Sequence, residues 1–310
     1  MNSPISWVGG KKSLRDLIYQ KMPKDFGRYI EVFGGGGWVL FGRKPGAAME
    51  IYNDFNSDLA NMFRCIRDRP LALIQELGFL PLNGRDEFNV LRKFLEKEEF
   101  TNEYLQEEIE IAQRYLTAPQ FDEIKSILME NAQMNDIQRA AAFYKLIRLS
   151  YGSGCTSYSC QPFDIRRAFD LIWQASRRLK DTVIENKDFE ALIKQYDREN
   201  AFIYCDPPYY LTEGHYEVIF RKEDHYRLRD TLVACLGRWL VSYNDCEFVH
   251  ELYGGYHIEA VSRINNLAQR YDNGCEYAEV LISNYDTDER TRDMPIQMGL
   301  FDIGDLFVMP

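Results

Sequence analysis

One hexapeptide combines the groups needed to handle an aromatic amine: Cys205-Asp206-Pro207-Pro208-Tyr209-Tyr210. Asp206 and the Pro207 carbonyl form an acceptor pair, and the Tyr209 ring offers a flat apolar face beside it. The prolines have no N–H to donate and cannot continue a sheet, so they end the pairing and fix the backbone behind the carboxylate. Upstream, Ala201-Phe202-Ile203-Tyr204 is an apolar run of the kind that makes a buried strand. Asp206 is therefore expected at the carboxyl edge of a sheet, where open α/β sheets bind ligands. Alone, the hexapeptide reads equally as a strand-ending turn with a capping Asp. The segments that precede it separate the two readings.

Trp7-Val8-Gly9-Gly10-Lys11-Lys12 comes first, with two glycines for close backbone approach, a cation at Lys11 and a stacking face at Trp7. A helix is expected from Ser13, as N-cap, through Met22. Residues 28–33 then read as a strand running into Gly34-Gly35-Gly36-Gly37, followed by a short helix at Trp38. Strand, glycine turn and helix open the nucleotide-binding half of a doubly wound sheet. A second strand, 49–53, ends at Asp54, about twenty residues past the glycines and placed for both hydroxyls of a ribose. Asp188 and Phe189 stand where a third strand, 182–185, would end, in position to hold an adenine. The runner-up ligand is a dinucleotide, but Leu40 occupies the place of that fingerprint's third Gly or Ala. The pattern favours a mononucleoside carrying its reactive group on sulfur. Further strands are expected at 238–245, 257–261 and 277–283, with a helix from 223 to 236.

Between the second and third strands the pattern turns helical and charged, over 85–98, 103–116, 119–131 and 136–149. The expected architecture is thus α/β: a doubly wound, Rossmann-like catalytic domain from residues 1–69 and 163–285, with a helical lobe of residues 70–162 inserted and a tail of 286–310. Net charge is −11, unusual for a nucleic-acid binder, but its distribution matters more. Residues 131–180 carry eight Lys/Arg against three Asp, or +5, while 96–130 carry three bases against ten acids, or −7. A basic region beside an acidic one is compatible with a one-faced DNA contact or with an ordinary solvated surface. Seven cysteines with no close C-x-x-C pair argue against a disulfide framework or structural zinc and point to a reducing, cytoplasmic setting. The N-terminus shows no signal peptide, no stretch suits a membrane span, and four scattered histidines make neither a triad nor a metal site.

Taken in order, Trp7…Gly9-Gly10-Lys11, Glu31-Val-Phe33 with the glycines, Asn53-Asp54…Asn56-Ser57-Asp58 and Asp206-Pro-Pro-Tyr209 resemble the Dam-type DNA adenine-N6 methyltransferases. The likeness continues through Ser242-Tyr-Asn244-Asp245 and Glu279-Val-Leu-Ile-Ser-Asn284-Tyr285, to about residue 285. The resemblance implies a site for S-adenosylmethionine lined by Trp7, Lys11, Glu31, Phe33, Gly35, Gly37, Asp54, Asp188, Phe189 and Asp206. It implies catalysis by Asp206, Pro207, Pro208 and Tyr209 on an adenine flipped out of duplex DNA, with no metal. The helical lobe falls where the family reads its target, so Lys12, Arg139, Arg148, Ser153, Thr156, Ser157 and Tyr158 are the expected DNA contacts. The uncharged loop 152–160 stands where a basic hairpin is expected of a GATC reader, and 263–274 is less basic than phosphate clamping would want. The target sequence is therefore left open, and duplex affinity is expected to be modest and salt-sensitive. Alternatives are a cytosine-N4 methyltransferase and, of a different class, a catalytically retired DNA-binding regulator.

The tail resembles a sliding-clamp docking peptide at Gln297, Leu300 and Phe301; the alternative is a segment that folds back on the enzyme's own core.

Overall fold

The structure, a computed structural model, describes residues 1–46, 48–78, 84–96, 105–134, 136–160, 163–210, 220–264 and 276–289. Seven strands form one sheet in the order β3-β2-β1-β4-β5-β7-β6. β1 (Arg28–Glu31), β2 (Met49–Asn53), β3 (Thr182–Glu185), β4 (Ala201–Cys205) and β5 (Arg238–Asn244) are parallel, and β7 (Glu276–Ser283) runs antiparallel to β5 and to β6 (His257–Ile264). Strand order reverses between β1 and β4, which pair Ile30 with Ile203 and Glu31 with Tyr204. That switch point is where crevices open in doubly wound sheets.

Alternate residues along each strand enter opposite cores, as the two-residue pleat dictates. Tyr29, Tyr52, Phe202 and Leu240 join one apolar cluster, while Ile30, Ile51, Ile203 and Val241 join the other. β4 is buried at every position, which explains its unbroken apolar sequence. Helices α10 (Phe189–Tyr196), α11 (Lys222–Val233) and α12 (Glu247–Leu252) supply the second cluster. The first is covered by α1 (Arg15–Lys21), α2 (Trp38–Gly42), α3 (Ser57–Asp68) and α9 (Phe169–Leu179).

The block between β2 and β3 is helical: α4 (Pro70–Leu77), α5 (Arg85–Leu95), α6 (Leu105–Tyr115), α7 (Gln120–Met134) and α8 (Ile137–Leu149). α8 packs on α3, α4 and α5, and its apolar residues continue the first cluster outward from the sheet. Asn61 of α3 bonds the Asp136 backbone from both amide atoms, Nδ2 to O at 2.8 Å and Oδ1 from N at 2.9 Å. Among the described residues, no helix is long and apolar enough to cross a membrane.

Two readings of local structure change. α1 begins at Arg15 with Leu14 as N-cap and no side-chain cap, so Ser13 does not cap it. α4, α9 and α12 have no counterpart among the expected helices; α9 lies in a stretch whose charges obscure its buried stripe of Ile172, Ala175 and Leu179.

Candidate active site

β4 delivers Asp206 to the carboxyl edge, and three other segments converge on it. Lys11 Nζ lies 2.7 Å from Asp206 Oδ1, and Ser242 Oγ of β5 donates to the same oxygen at 2.8 Å. Both contacts fall on Oδ1; among the described residues none bonds Oδ2, and the side chain keeps 18% of its surface exposed. Lys11 is only 3% exposed, so its charge must be met inside the protein. It is met by Asp206, by the Gly9 carbonyl at 3.2 Å, by Glu279 Oε2 at 3.9 Å, and by the Tyr209 ring 4.8 Å away. Tyr209 in turn donates its hydroxyl to Glu279 Oε2 at 2.8 Å. Burial, with Asp206 and Glu279 nearby, pushes the Tyr209 phenol well above its ordinary range, so it remains a neutral donor.

Ser242 and Glu279 lie in two of the segments that carry the family resemblance, which assigns neither a role. The signal for Glu279 was present: an acid within the apolar run of β7, whose Glu279 is fully buried opposite Asn244. Buried acids are retained only with partners.

Beside this cluster lies an open cleft. Its floor is the glycine turn, where Gly35 and Gly37 have φ of 49° and 66°. A Cβ on Gly34 would fall 2.1 Å from the Tyr52 ring, and one on Gly35 would fall 2.7 Å from Trp7. No larger residue fits there. Asp54 braces the turn, accepting from Gly35 N at 2.8 Å and from Asn56 N at 2.9 Å. A carboxylate has lone pairs to spare beyond these two. Burial raises its pKa to about 6. Asn53 ties the ends of three strands, donating to the carbonyls of Val32 (2.9 Å) and Lys187 (3.1 Å).

Phe33, Phe189 and Phe220 form an apolar wall with ring centroids 5.7 to 5.8 Å apart. Asp188 caps α10 through Glu190 N and holds Arg227 at 2.8 Å, and Arg227 lies 4.2 Å over the Phe189 ring. Glu31, fully buried on the cleft's inner wall, accepts from Tyr29 at 2.7 Å. Burial pushes its carboxyl up to about 8.

Trp7, Lys11, Glu31, Phe33, Gly35, Asp54, Asp188, Phe189, Asp206 and Pro208 therefore border one cleft. Gly37 lies beneath it as N-cap of α2. The expected DNA contacts divide. Lys12, Thr156 and Ser157 are exposed, and Tyr158 packs on Phe88 with Arg85 over its ring. Ser153 turns inward to border the cleft. Arg148 donates to the Pro4 carbonyl at 2.7 Å. Arg139 is corrected: it is 8% exposed, grips both oxygens of Asp58 and donates to the Leu95 carbonyl at 2.7 Å. It has no face left for a phosphate, because it joins α8 to α3 and α5.

The model of the D12 class N6 adenine-specific DNA methyltransferases matches residues 7–267. The type II methyltransferase M1.LlaDCHI of Lactococcus lactis subsp. cremoris is 25% identical over 304 residues, covering 90% of this chain and 94% of the relative. The type II methyltransferase M.CviBI of Paramecium bursaria Chlorella virus NC1A is 23% identical over 261 residues, covering 83% and 88%. The modification methylase StsI of Streptococcus sanguinis is 32% identical over 78 residues, 25% of this chain and 12% of its own length.

Proposed function

The chain belongs to the D12 class of N6 adenine-specific DNA methyltransferases, and we propose that the glycine cleft holds S-adenosylmethionine while Asp206-Pro-Pro-Tyr209 receives an adenine flipped out of the duplex. The residues present fit that donor: a floor no Cβ can enter, Asp54 for the ribose, the Phe33–Phe189 wall for the adenine, and buried Glu31 for a cationic group. When bound, it supplies a methyl group on a sulfonium, the electrophile of the reaction. The work of this chain is on the acceptor. The adenine amine is a poor nucleophile because its lone pair is delocalised into the ring. Asp206 Oδ2 and the Pro207 carbonyl accept its two N–H groups and draw N6 toward tetrahedral geometry, freeing the lone pair. Tyr209 stacks on the base, its hydroxyl tethered to Glu279. Positioning and fixed dipoles provide most of the acceleration, and Asp206 is the acceptor at hand for the proton N6 sheds.

The observation that carries this reading is the state of Asp206 on the cleft's lining, with Oδ1 locked by Lys11 and Ser242 and Oδ2 bonded by none of the described residues. Transfer of labelled methyl from S-adenosylmethionine to unmethylated genomic DNA, wild type beside Asp206→Ala, tests it. Label is expected on N6-methyladenine after digestion and is lost in the variant. Label on cytosine would move the acceptor to N4, and donor binding without transfer would favour the retired regulator.

Lys12, Thr156, Ser157 and Tyr158 are the proposed duplex contacts, and residues 70–162 the proposed recognition lobe. Gln297, Leu300 and Phe301 lie outside the described residues. Their spacing supports docking on a sliding clamp; deleting 295–310 then abolishes clamp pull-down and spares methylation of short duplexes, and unchanged pull-down would refute it.

A further inference from the structure

Residues 3–11 form a strap across the glycine cleft. On its inner side Ser3 Oγ donates to the Gly36 carbonyl, Trp7 lies on Gly35 and Gly36, and Lys11 reaches Asp206. The strap is turned by a bond from Gly10 N to Trp7 O at 3.1 Å. These contacts belong to the donor and acceptor sites. What holds the strap from outside does not.

Its outer side rests on α8 and the loop that follows. Tyr144 OH and Arg148 Nη2 both donate to the Pro4 carbonyl, at 3.0 and 2.7 Å, so both lone pairs of one strap carbonyl are filled from one helix. Tyr144 is fully buried. Arg148 is held in place between the rings of Phe163 and Tyr144, at 4.9 and 5.6 Å. Five residues before Arg148, Phe143 faces Trp7 with centroids 6.1 Å apart. Beyond the helix, Ser153 Oγ hydrogen-bonds Ser6 Oγ at 2.6 Å. The strap is thus bracketed between the glycine turn and the inserted helices.

We infer that α8 is the backing of the donor-site strap, with Tyr144 and Arg148 acting as positioning residues for Trp7 and Lys11. The inference rests on the reading of the cleft as the donor site. Its consequence is that the helices expected to read DNA also set the affinity for the methyl donor, before any DNA is bound. Arg148 acts inward on the protein, not outward on a phosphate.

The test is titration calorimetry of S-adenosylmethionine into the full-length chain without DNA, using Tyr144→Phe/Arg148→Met and, separately, Ser6→Ala. Loss of two hydrogen bonds to the strap is expected to weaken donor binding about tenfold, and loss of the part-buried Ser6 bond about threefold. In turnover, the loss falls mainly in the donor KM and not in kcat. The salt slope of duplex binding stays at the wild-type value. Wild-type donor affinity in the folded double variant overturns the inference. So does a salt slope shallower by about one with donor affinity kept, since that marks Arg148 as a phosphate contact. Should the double variant fail to fold, Ser6→Ala decides, and wild-type affinity there overturns it. Trp7→Ala separates the two levels: a wild-type chain that binds no donor overturns the cleft reading itself. Weakening in Trp7→Ala alone overturns only the role of α8.

Discussion

If the cleft holds the donor as proposed, Glu31 makes its binding depend on pH. The folded protein holds its carboxyl protonated up to about 8, chiefly because burial penalises the charge. The unfolded chain releases that proton near the ordinary value of 4.5. Between those values the folded state binds the extra proton, so this group's contribution to stability falls as pH rises from about 4.5 to 8. A cationic ligand beside Glu31 favours the ionised form, so donor affinity rises with pH up to about 8 and then levels. At pH 7 donor binding is expected to release a proton, measured by calorimetry in buffers of different ionisation enthalpy. Glu31→Gln abolishes the release and flattens the pH profile. Identical proton release in the variant would place the titrating group elsewhere.

At the scale of elements, the link between α3 and α8 carries the inserted block. Asp58 is raised in pKa by burial, and the Arg139 guanidinium opposes that rise. Arg139→Met leaves Asp58 without its cation in a largely buried place and is expected to cost about 3 kcal/mol of stability. Chemical denaturation measures it. Because Arg139 faces inward, the salt slope of duplex binding is expected to match wild type; a shallower slope would return Arg139 to the DNA surface. A second buried pair sits under the sheet: Arg178 of α9 bonds both oxygens of Glu50 in β2, at 2.6 and 2.9 Å. Such pairs tie a helix to one strand and so fix which helix covers which part of the sheet.

Over the whole molecule, charge and core follow different boundaries. Within the acidic stretch 96–130, Ala112 is the one buried residue among those described in α6 and α7. Arg69 anchors that pair of helices through Glu108 at 2.6 Å. The basic stretch contains α8, whose Arg139 is buried against Asp58 and whose half-buried Arg148 bonds the Pro4 carbonyl, so its sum of charges overstates what reaches solvent. Nor does the insert stand apart as its sequence suggests, since one apolar cluster runs from Tyr29 in the sheet through α3 to Phe143 in α8.

Signals confined to one strand and its following turn were readable directly. The apolar run into Asp206-Pro-Pro, the four glycines after β1 and the acid after β2 state their conformation locally, through φ, proline stops and the two-residue pleat. Their order along the chain was enough to indicate the family. Contacts between distant segments have no such local code. Lys11, Asp206, Ser242 and Glu279 meet only because β4, β5 and β7 lie side by side and the strap folds over them. Whether an arginine on an amphipathic helix meets water or a buried carboxylate depends on what packs against that face. For Arg139 the tertiary structure supplies the Asp58 carboxylate, 81 residues away, and for half-buried Arg148 the Pro4 carbonyl, 144 residues away.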